Sequence, residues 1–319
     1  MLFAYRTTPT ALELLPKETP LSQALWVDLF RPMPAQVEAV EALGVEVPTL
    51  ADMEEIEVSN RLYRRGDVEV LTVVLPGVDP DGRSMNGPVA FLLTPERIVT
   101  VRYHTPKPFE TFPLHAANAT AGFGGRRRLF LGLMEEIIAR LADLSEGVGR
   151  EIDRLSHKAF AEPQPKGAEL ADSLRALGRQ NEHMARYRQS LLSLERALSV
   201  FELSLSAKID KELELRQIVK AQIRDIQALM VHGDFLSGRI AQLTDVTLGL
   251  IDIEQAGTGR VLSVVAILFL PPTLIASIYG MNFSVLPGVE SPYGWIIATV
   301  LMLMSALGTF LFGKWRGWL

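Results

Sequence analysis

Two apolar stretches near the C-terminal end decide the fold: VLSVVAILFLPPTLIASIY at 261–279 and WIIATVLMLMSALGTFLFG at 295–313. Neither contains a charged residue, and each holds 19 residues, about the length that crosses a bilayer's hydrocarbon core as a helix. Buried helices of soluble proteins are usually shorter and carry a polar stripe. The sequence therefore predicts a membrane protein with two C-terminal transmembrane helices, joined by an external loop at 280–294.

The basic residues beside these spans predict their orientation. Arg260 precedes the first span and Lys314 and Arg316 follow the second, whereas the loop at 280–294 contains no Lys or Arg. Since positive residues stay on the cytoplasmic side, both termini should be cytoplasmic in a cell (inner) membrane protein that crosses the bilayer twice.

The charge outside the spans limits the partners. Residues 1–260 hold 30 of the 32 Lys and Arg residues and 36 of the 37 Asp and Glu residues, a net charge of −6. An acidic soluble region attracts cations, and it argues against a nucleic-acid partner, which usually binds a basic surface.

The soluble region divides by its proline content, because 15 of the 19 prolines precede Lys166 and none lies between Lys166 and Pro271. Residues 1–125 read as a cytoplasmic α/β (α+β) domain of short elements between Pro and Gly residues. Strands are predicted at Ala24–Phe30, Asp67–Leu75, Val89–Leu93 and Arg97–Tyr103, and short helices at Ala35–Leu43 and Leu50–Ile56.

Residues 126–260 read as a long-helix stalk that leads to the pore unit at 261–319. Helices are predicted over Arg126–Phe160, from Ala168 to about Leu205, and from near Asp210 onward. Apolar residues recur three and four apart along the second helix, which favours an antiparallel helical hairpin. No proline interrupts the third helix before Pro271, so it can continue directly into the first span.

Enzyme-like patterns are absent. There is no cysteine, which excludes a thiol nucleophile and a Cys-ligated metal site. There is also no GxxxxGK[ST] phosphate loop, and the five histidines show neither HxxxH nor HExxH spacing. The sequence therefore predicts neither an enzyme nor a prosthetic group.

The first span has a polar face. At 100° per residue, its three hydroxyl side chains, Ser263, Thr273 and Ser277, fall within an arc of about 100°, which also includes small residues such as Ala266. Such an arc serves helix packing or lines a water-filled path, and taken alone it favours packing. Two spans cannot enclose a path, so a pore would require several copies around an axis.

The residues after the first span resemble a known family. Gly280-Met281-Asn282 directly follows LSVVAILFLPPTLIASIY (Leu262–Tyr279), and LIDIEQ (Leu250–Gln255) lies upstream. This arrangement, with the basic-aromatic end KWRGWL, resembles the CorA magnesium/cobalt transporters, most closely the proteobacterial-type branch. Weaker likeness extends through ALWVDLFRP (Ala24–Pro32) and MEEIEVSNRLY (Met53–Tyr63).

The resemblance implies a homopentameric divalent cation channel in the lipid bilayer. It would carry Mg²⁺ inward, with Co²⁺ and Ni²⁺ as further cations, driven by the membrane potential and closed by cytoplasmic Mg²⁺. Mg²⁺ would thus be both substrate and regulatory ligand. Gly280, Met281 and Asn282 would form the selectivity ring, with Asn282 accepting hydrogen bonds from the hydrated ion. The implied pore-lining residues are Gly259, Leu262, Ser263, Ala266, Leu270, Thr273 and Ser277.

Several positions depart from the family's pattern. Ala256 stands where relatives often have Asn, Gly259 where they often have a bulky gate residue, and Ser284 where an acid often follows the motif. Gating would then rest on Leu262 and Leu270, and Glu290 is the loop's only acid. Asp245 and Asp252 are the candidate regulatory ligands on the stalk, although each also suits a solvated surface.

Two alternatives stay open at this point. One is a zinc-transporting relative, against which Met281 argues, because that branch usually has another residue at the middle of the tripeptide. The other is a non-transporting membrane scaffold or sensor, in which the hydroxyl arc would serve packing alone.

Overall fold

The computed structural model of the chain describes residues 1–55, 57, 61–205, 210–281 and 292–317. The chain forms two compact units, Met1–His157 with Arg175–Leu243, and Lys158–Leu174 with Thr244–Leu319. These units are defined by packing rather than by position in a membrane. The functional division into 1–125, 126–260 and 261–319 therefore stays a prediction.

The first unit is built on one mixed sheet of seven strands in the order β2-β1-β3-β7-β6-β5-β4. Only β3 and β7 pair in parallel, and the other neighbours are antiparallel. The strands are β1 (Leu2–Thr7), β2 (Leu12–Leu14), β3 (Trp26–Phe30), β4 (Leu62–Arg65), β5 (Val68–Val78), β6 (Ser84–Leu93) and β7 (Ile98–Arg102).

Both faces of this sheet are buried, as the alternation along β6 demonstrates. Val89, Phe91 and Leu93 enter one apolar cluster, whereas Ala90 and Leu92 enter another on the opposite face. The second cluster includes residues of the short helices α1 (Pro34–Glu41) and α2 (Leu50–Glu54).

Long helices cover the other face of the sheet. They are α4 (Arg126–Ala159) and α5 (Ala168–Ser204), preceded by the short helix α3 (Pro108–His115). Phe130 of α4 links the layers, because its ring centroid lies 5.6 Å from that of Phe91 in the sheet and 4.8 Å from that of Phe201 in α5. The sheet and the helical hairpin therefore share one hydrophobic core.

A buried polar network crosses the sheet. Arg102 on β7 lies 2.8 Å from the Asp28 carboxylate on β3, and both side chains are almost fully buried. Asp28 also accepts a hydrogen bond from Thr100, which in turn accepts one from the Trp26 indole. Burial of the ion pair is therefore matched by hydrogen bonds that satisfy its polar atoms.

The third long helix, α6, is one continuous helix from Asp210 to Tyr279. Its residues up to Leu243 belong to the first unit, and the remainder belongs to the second. The expectation that the stalk helix continues into the first apolar span is therefore confirmed. The second apolar stretch forms α7 (Gly294–Trp315), so two helices have the length and composition of membrane spans.

The four strands and two short helices predicted above are confirmed with boundary shifts, and Ile56 lies outside the described residues. Three strands, β1, β2 and β4, and helix α3 were not predicted. A hairpin turn joins β6 and β7, in which the Thr94 amide donates to the Arg97 carbonyl at 3.0 Å.

Candidate ion pathway

The residues expected to line a pore lie along one face of α6, and that face is exposed in the single chain. The side chains of Leu262 and Leu270 are 71% and 67% exposed. The small and hydroxylated members of the set are exposed as well: Gly259, Ser263, Ala266, Thr273 and Ser277. Large apolar groups exposed in this way must be covered by lipid or by other protein chains.

The face of α6 that packs within its own unit is a different one. Val264, Leu268 and Ile275 are partly buried, and on the helix they lie about 170° from the centre of the polar arc. Val264 and Leu268 also line a cleft opposite Thr309 and Phe310 of α7. The contact between α6 and α7 therefore leaves the hydroxyl arc pointing away from α7.

Helix α7 contributes a stripe of mostly small residues to this contact. Gly294, Ala298 and Gly313 are buried, and Met302 and Ser305 are partly buried between them. Small residues at spacings of three and four allow two membrane helices to approach closely. The small residues that are buried in this unit therefore belong mainly to α7, whereas those of the polar arc on α6 are exposed.

Ser263 occupies the edge of the polar arc. It is exposed, yet it also lines the cleft between α6 and α7 together with Thr309. Ala266, Leu270, Thr273 and Ser277 do not line that cleft. These four residues are all exposed in the single chain, and Ser263 lies at the border between the exposed face and the cleft.

The first span ends just before Gly280-Met281-Asn282, the tripeptide that is expected to form the selectivity ring. The Gly280 amide donates to the Ala276 carbonyl at 2.9 Å, and the Met281 amide donates to the Ile278 carbonyl at 3.2 Å. A Cβ at Gly280 would lie 3.1 Å from the Ala276 oxygen, a tight contact with backbone. The Met281 side chain is half exposed. Asn282, Ser284 and Glu290 lie outside the described residues.

The candidate regulatory acids Asp245 and Asp252 are exposed and stand two turns apart on one face of α6. At 100° per residue around the helix axis, both aspartates lie within about 40° of Gly259, which places them in line with the polar arc. Among the described residues of this chain no group of three or more acidic or histidine side chains could hold a metal ion.

One contact near the span was not expected from the sequence. Glu254 on α6 accepts a hydrogen bond from the Gly167 amide at 2.8 Å, in the turn between α4 and α5. Gly167 has φ +49°, a left-handed conformation that favours glycine. Pro163, Pro165 and Gly167 separate the two predicted helices in the sequence, but nothing in the sequence points to the partner of Gly167 87 residues later.

A mixed-sheet domain, long helices and two apolar C-terminal helices long enough to cross a bilayer define the architecture of a membrane protein. Comparison with known proteins gives the family. The family model described as CorA-like Mg²⁺ transporter protein matches residues 22–314. The chain therefore belongs to the CorA-like Mg²⁺ transporter family, whose members are transporters rather than enzymes.

Individual relatives agree with this assignment. The chain is 32% identical over 300 residues to the magnesium transport protein CorA of Pectobacterium atrosepticum, covering 94% of this chain and 93% of the relative. It is 29% identical over 322 residues to the protein of that name from Escherichia coli K12, covering both chains fully. The fold is similar to the complete structure of the Methanocaldococcus jannaschii CorA magnesium transporter, with TM-score 0.76 and 17% identity over 100% of this chain and 99% of that one.

Proposed function

We propose that this protein is a Mg²⁺ influx channel, a homopentamer whose copies place the polar arc of α6 around a central path. The observation that carries the proposal is the direction of that arc. Thr273, Ser277 and Ala266 point away from α7, whereas Val264 and Leu268 face it. Small and hydroxylated groups on the outward face are suited to contact water and ions rather than lipid.

The chemistry of hydrated Mg²⁺ supports this use of the arc. Mg²⁺ gives up its water reluctantly, and its bound waters point their hydrogens outward, so the wall must present acceptors. The Thr273 hydroxyl donates to carbonyls of its own helix, which leaves its oxygen lone pairs as acceptors. We expect the Asn282 amide oxygens to act likewise at the external mouth, beside Gly280 and Met281.

The membrane potential supplies the driving force in this proposal. A divalent cation that crosses a membrane negative inside gains roughly 4.6 kcal/mol per 100 mV. Arg260, Lys314 and Arg316 favour an orientation with both termini cytoplasmic. Glu290 in the loop would then be the acid that attracts cations at the external mouth.

We further propose that cytoplasmic Mg²⁺ closes the channel through Asp245 and Asp252. Both aspartates lie in line with the polar arc, so a symmetric assembly brings their equivalents around one axis. Mg²⁺ bound between subunits would stabilise a closed arrangement of the pentamer. In that arrangement, Leu262 and Leu270 would form the apolar constriction of the path. Paired Asp245→Asn and Asp252→Asn substitutions should raise uptake at high internal Mg²⁺ and leave it unchanged at low internal Mg²⁺.

The decisive experiment is ion uptake into vesicles containing the purified full-length protein. Asn282→Ala should abolish most Mg²⁺ uptake, whereas Thr299→Ala, a hydroxyl on α7 outside the arc, should retain it. Uptake unchanged by Asn282→Ala would disprove the selectivity assignment. Competition among Mg²⁺, Co²⁺, Ni²⁺ and Zn²⁺ in the same vesicles separates a magnesium channel from a zinc carrier. If the vesicles take up none of these four cations, the result would favour the alternative of a non-transporting membrane scaffold or sensor.

A further inference from the structure

A cleft of about 330 Å³ lies between α6 and α7 at the end of the spans that carries Arg260. Its walls are mainly apolar, formed chiefly by Val264, Ile267, Leu268 and Phe310, and the hydroxyl residues Ser263 and Thr309 also line it. Gly313 also lines it and adds no side chain. The volume exceeds what one side chain fills, and apolar walls of this kind are not suited to hold water. The cleft is thus an apolar slot that opens beside a cation.

The charge at the mouth of the slot is positive. Arg260 forms no hydrogen bond or ion pair with any residue in the described part of the chain, and none of the residues lining the cleft is acidic. The nearby acid Glu254 already accepts the Gly167 amide. An anionic group would therefore find a complementary charge at this mouth.

The position of the cleft along the spans restricts the ligand further. Arg260 immediately precedes the first apolar residue, Val261, so it lies at the level of lipid headgroups when α6 crosses a bilayer. Ile267 stands about 10 Å deeper along the helix, within the hydrocarbon region. A ligand that satisfies both ends must join an anionic head to a hydrocarbon chain. A soluble anion would leave the apolar walls uncovered.

We propose that this cleft binds one anionic phospholipid per subunit, from the leaflet on the Arg260 side of the membrane. The phosphate lies at Arg260, and one acyl chain lies against Ile267, Leu268 and Phe310. Basic pockets between membrane helices are suited to such headgroups. The bound lipid fills the gap between the two spans and so holds their spacing. The inference rests on placing both helices in the membrane and is independent of which ion the pore conducts.

Native mass spectrometry of the purified full-length protein tests the headgroup. The protein is incubated with phosphatidylglycerol or with phosphatidylcholine, and the lipid retained per subunit is counted. We expect preferential retention of phosphatidylglycerol, lowered about fivefold by Arg260→Gln. Lys314→Gln, which removes the same charge outside the cleft, should retain the lipid. Equal retention of the two lipids, or an equal loss in Lys314→Gln, would overturn the proposal.

A second pair of variants tests the slot itself. Thr309→Leu fills the cleft and should lower phosphatidylglycerol retention, whereas Thr299→Leu makes the same change elsewhere on α7 and should not. Full retention in Thr309→Leu would place the lipid outside the cleft and overturn the proposal. Displacement of the lipid by millimolar inorganic phosphate would do the same, because the site would then serve a soluble anion. The oligomer mass in each spectrum verifies that the variants assemble.

The alternative to a lipid in this cleft is a neighbouring copy of the chain, and a cross-linking experiment tests it. Because the sequence contains no cysteine, Ile267→Cys and Phe310→Cys can be introduced in separate chains and co-expressed. A disulfide between the two chains would show that a neighbouring subunit fills the cleft and would overturn the proposal, whereas its absence supports it. None of these readouts measures transport, so an Asn282→Ala channel that conducts no Mg²⁺ should still retain the lipid.

Discussion

The Thr273 hydroxyl lies 2.6 Å from the carbonyl oxygen of Phe269, one turn earlier in α6, and donates a hydrogen bond to it. It also lies 3.0 Å from the Leu270 carbonyl oxygen. The hydroxyl hydrogen is therefore committed to the helix backbone, and the oxygen that faces outward can only accept. An acceptor of this kind matches a hydrated cation, whose bound waters point their hydrogens outward. Thr273 directly follows Pro271-Pro272 in the sequence.

The first prediction follows from this geometry. Thr273→Val keeps the shape of the side chain but removes the acceptor, so Mg²⁺ uptake into vesicles should fall at least about fivefold, the equivalent of one lost hydrogen bond of about 1 kcal/mol. Thr273→Ser should retain most of the uptake. Thr299→Val is a matched control, because Thr299 donates to the Trp295 carbonyl at 2.8 Å on α7. Equal uptake by Thr273→Val and the parent would remove Thr273 from the ion path.

The second prediction concerns the contact between Glu254 and the turn before α5. Glu254→Ala removes the acceptor for the Gly167 amide, which lies 2.8 Å from the carboxylate. The exposed bond after Lys166 should then be cut faster by trypsin, because the turn loses an anchor on α6. Asp252→Ala, an exposed acid two residues earlier, should leave the cleavage rate unchanged when Mg²⁺ is absent. Equal rates in all three proteins would mean that the contact does not hold the turn.

The elements that the sequence predicted differ from those it did not in how strongly their local residues favour one secondary structure. Long periodic helices and apolar strands such as β6 carry their own signal, and both were predicted. Helix α3 contains Pro113 and has poor intrinsic propensity, but it places Phe109 and Phe112 about 6 Å from the Trp26 ring. Tertiary packing therefore specifies this helix, and no local pattern reveals it.

The candidate pathway shows a similar division. The polar arc of α6 follows from residue spacing alone, but its role depends on which face the partner helix covers. That information lies in Gly294, Ala298 and Gly313 of α7, whose small size is visible in the sequence although their pairing is not. Asn282 and Glu290 were identified by resemblance, and their roles stay predictions.

The third prediction concerns the stability of the sheet domain. Asp28→Asn leaves the buried Arg102 guanidinium without its carboxylate, so the free energy of unfolding should fall by about 3 kcal/mol or more. Glu13→Gln breaks the exposed pair that Glu13 forms with Arg6 at the similar distance of 2.9 Å and should cost less than about 1 kcal/mol. Thermal denaturation of the full-length protein in detergent measures both. Similar losses in the two variants would contradict the role assigned to burial.

The fourth prediction concerns His104, whose side chain is 1% exposed beneath Gly77 and Gly87. Burial lowers the pKa of His104 to about 4, against the opposing effect of its hydrogen bond to the Leu75 carbonyl, and the positive charges of Arg102 and Arg31 lower it further. The folded protein thus holds this imidazole neutral below the ordinary histidine pKa of about 6.5. As the pH falls from about 6.5 to 4, His104 binds a proton in the unfolded chain but not in the folded one. The free energy of unfolding therefore decreases across that pH window.

The loss should reach the order of 3 kcal/mol by pH 4, since each unit of pKa difference corresponds to about 1.4 kcal/mol. His104→Gln cannot titrate, so its melting temperature should fall less between pH 7 and pH 5 than that of the parent. His183→Gln, which changes an exposed histidine, should keep the parent's pH dependence, and comparing variants cancels the titration of the carboxylates. An identical pH dependence in His104→Gln and the parent would mean that this imidazole does not set the acid sensitivity of the sheet domain.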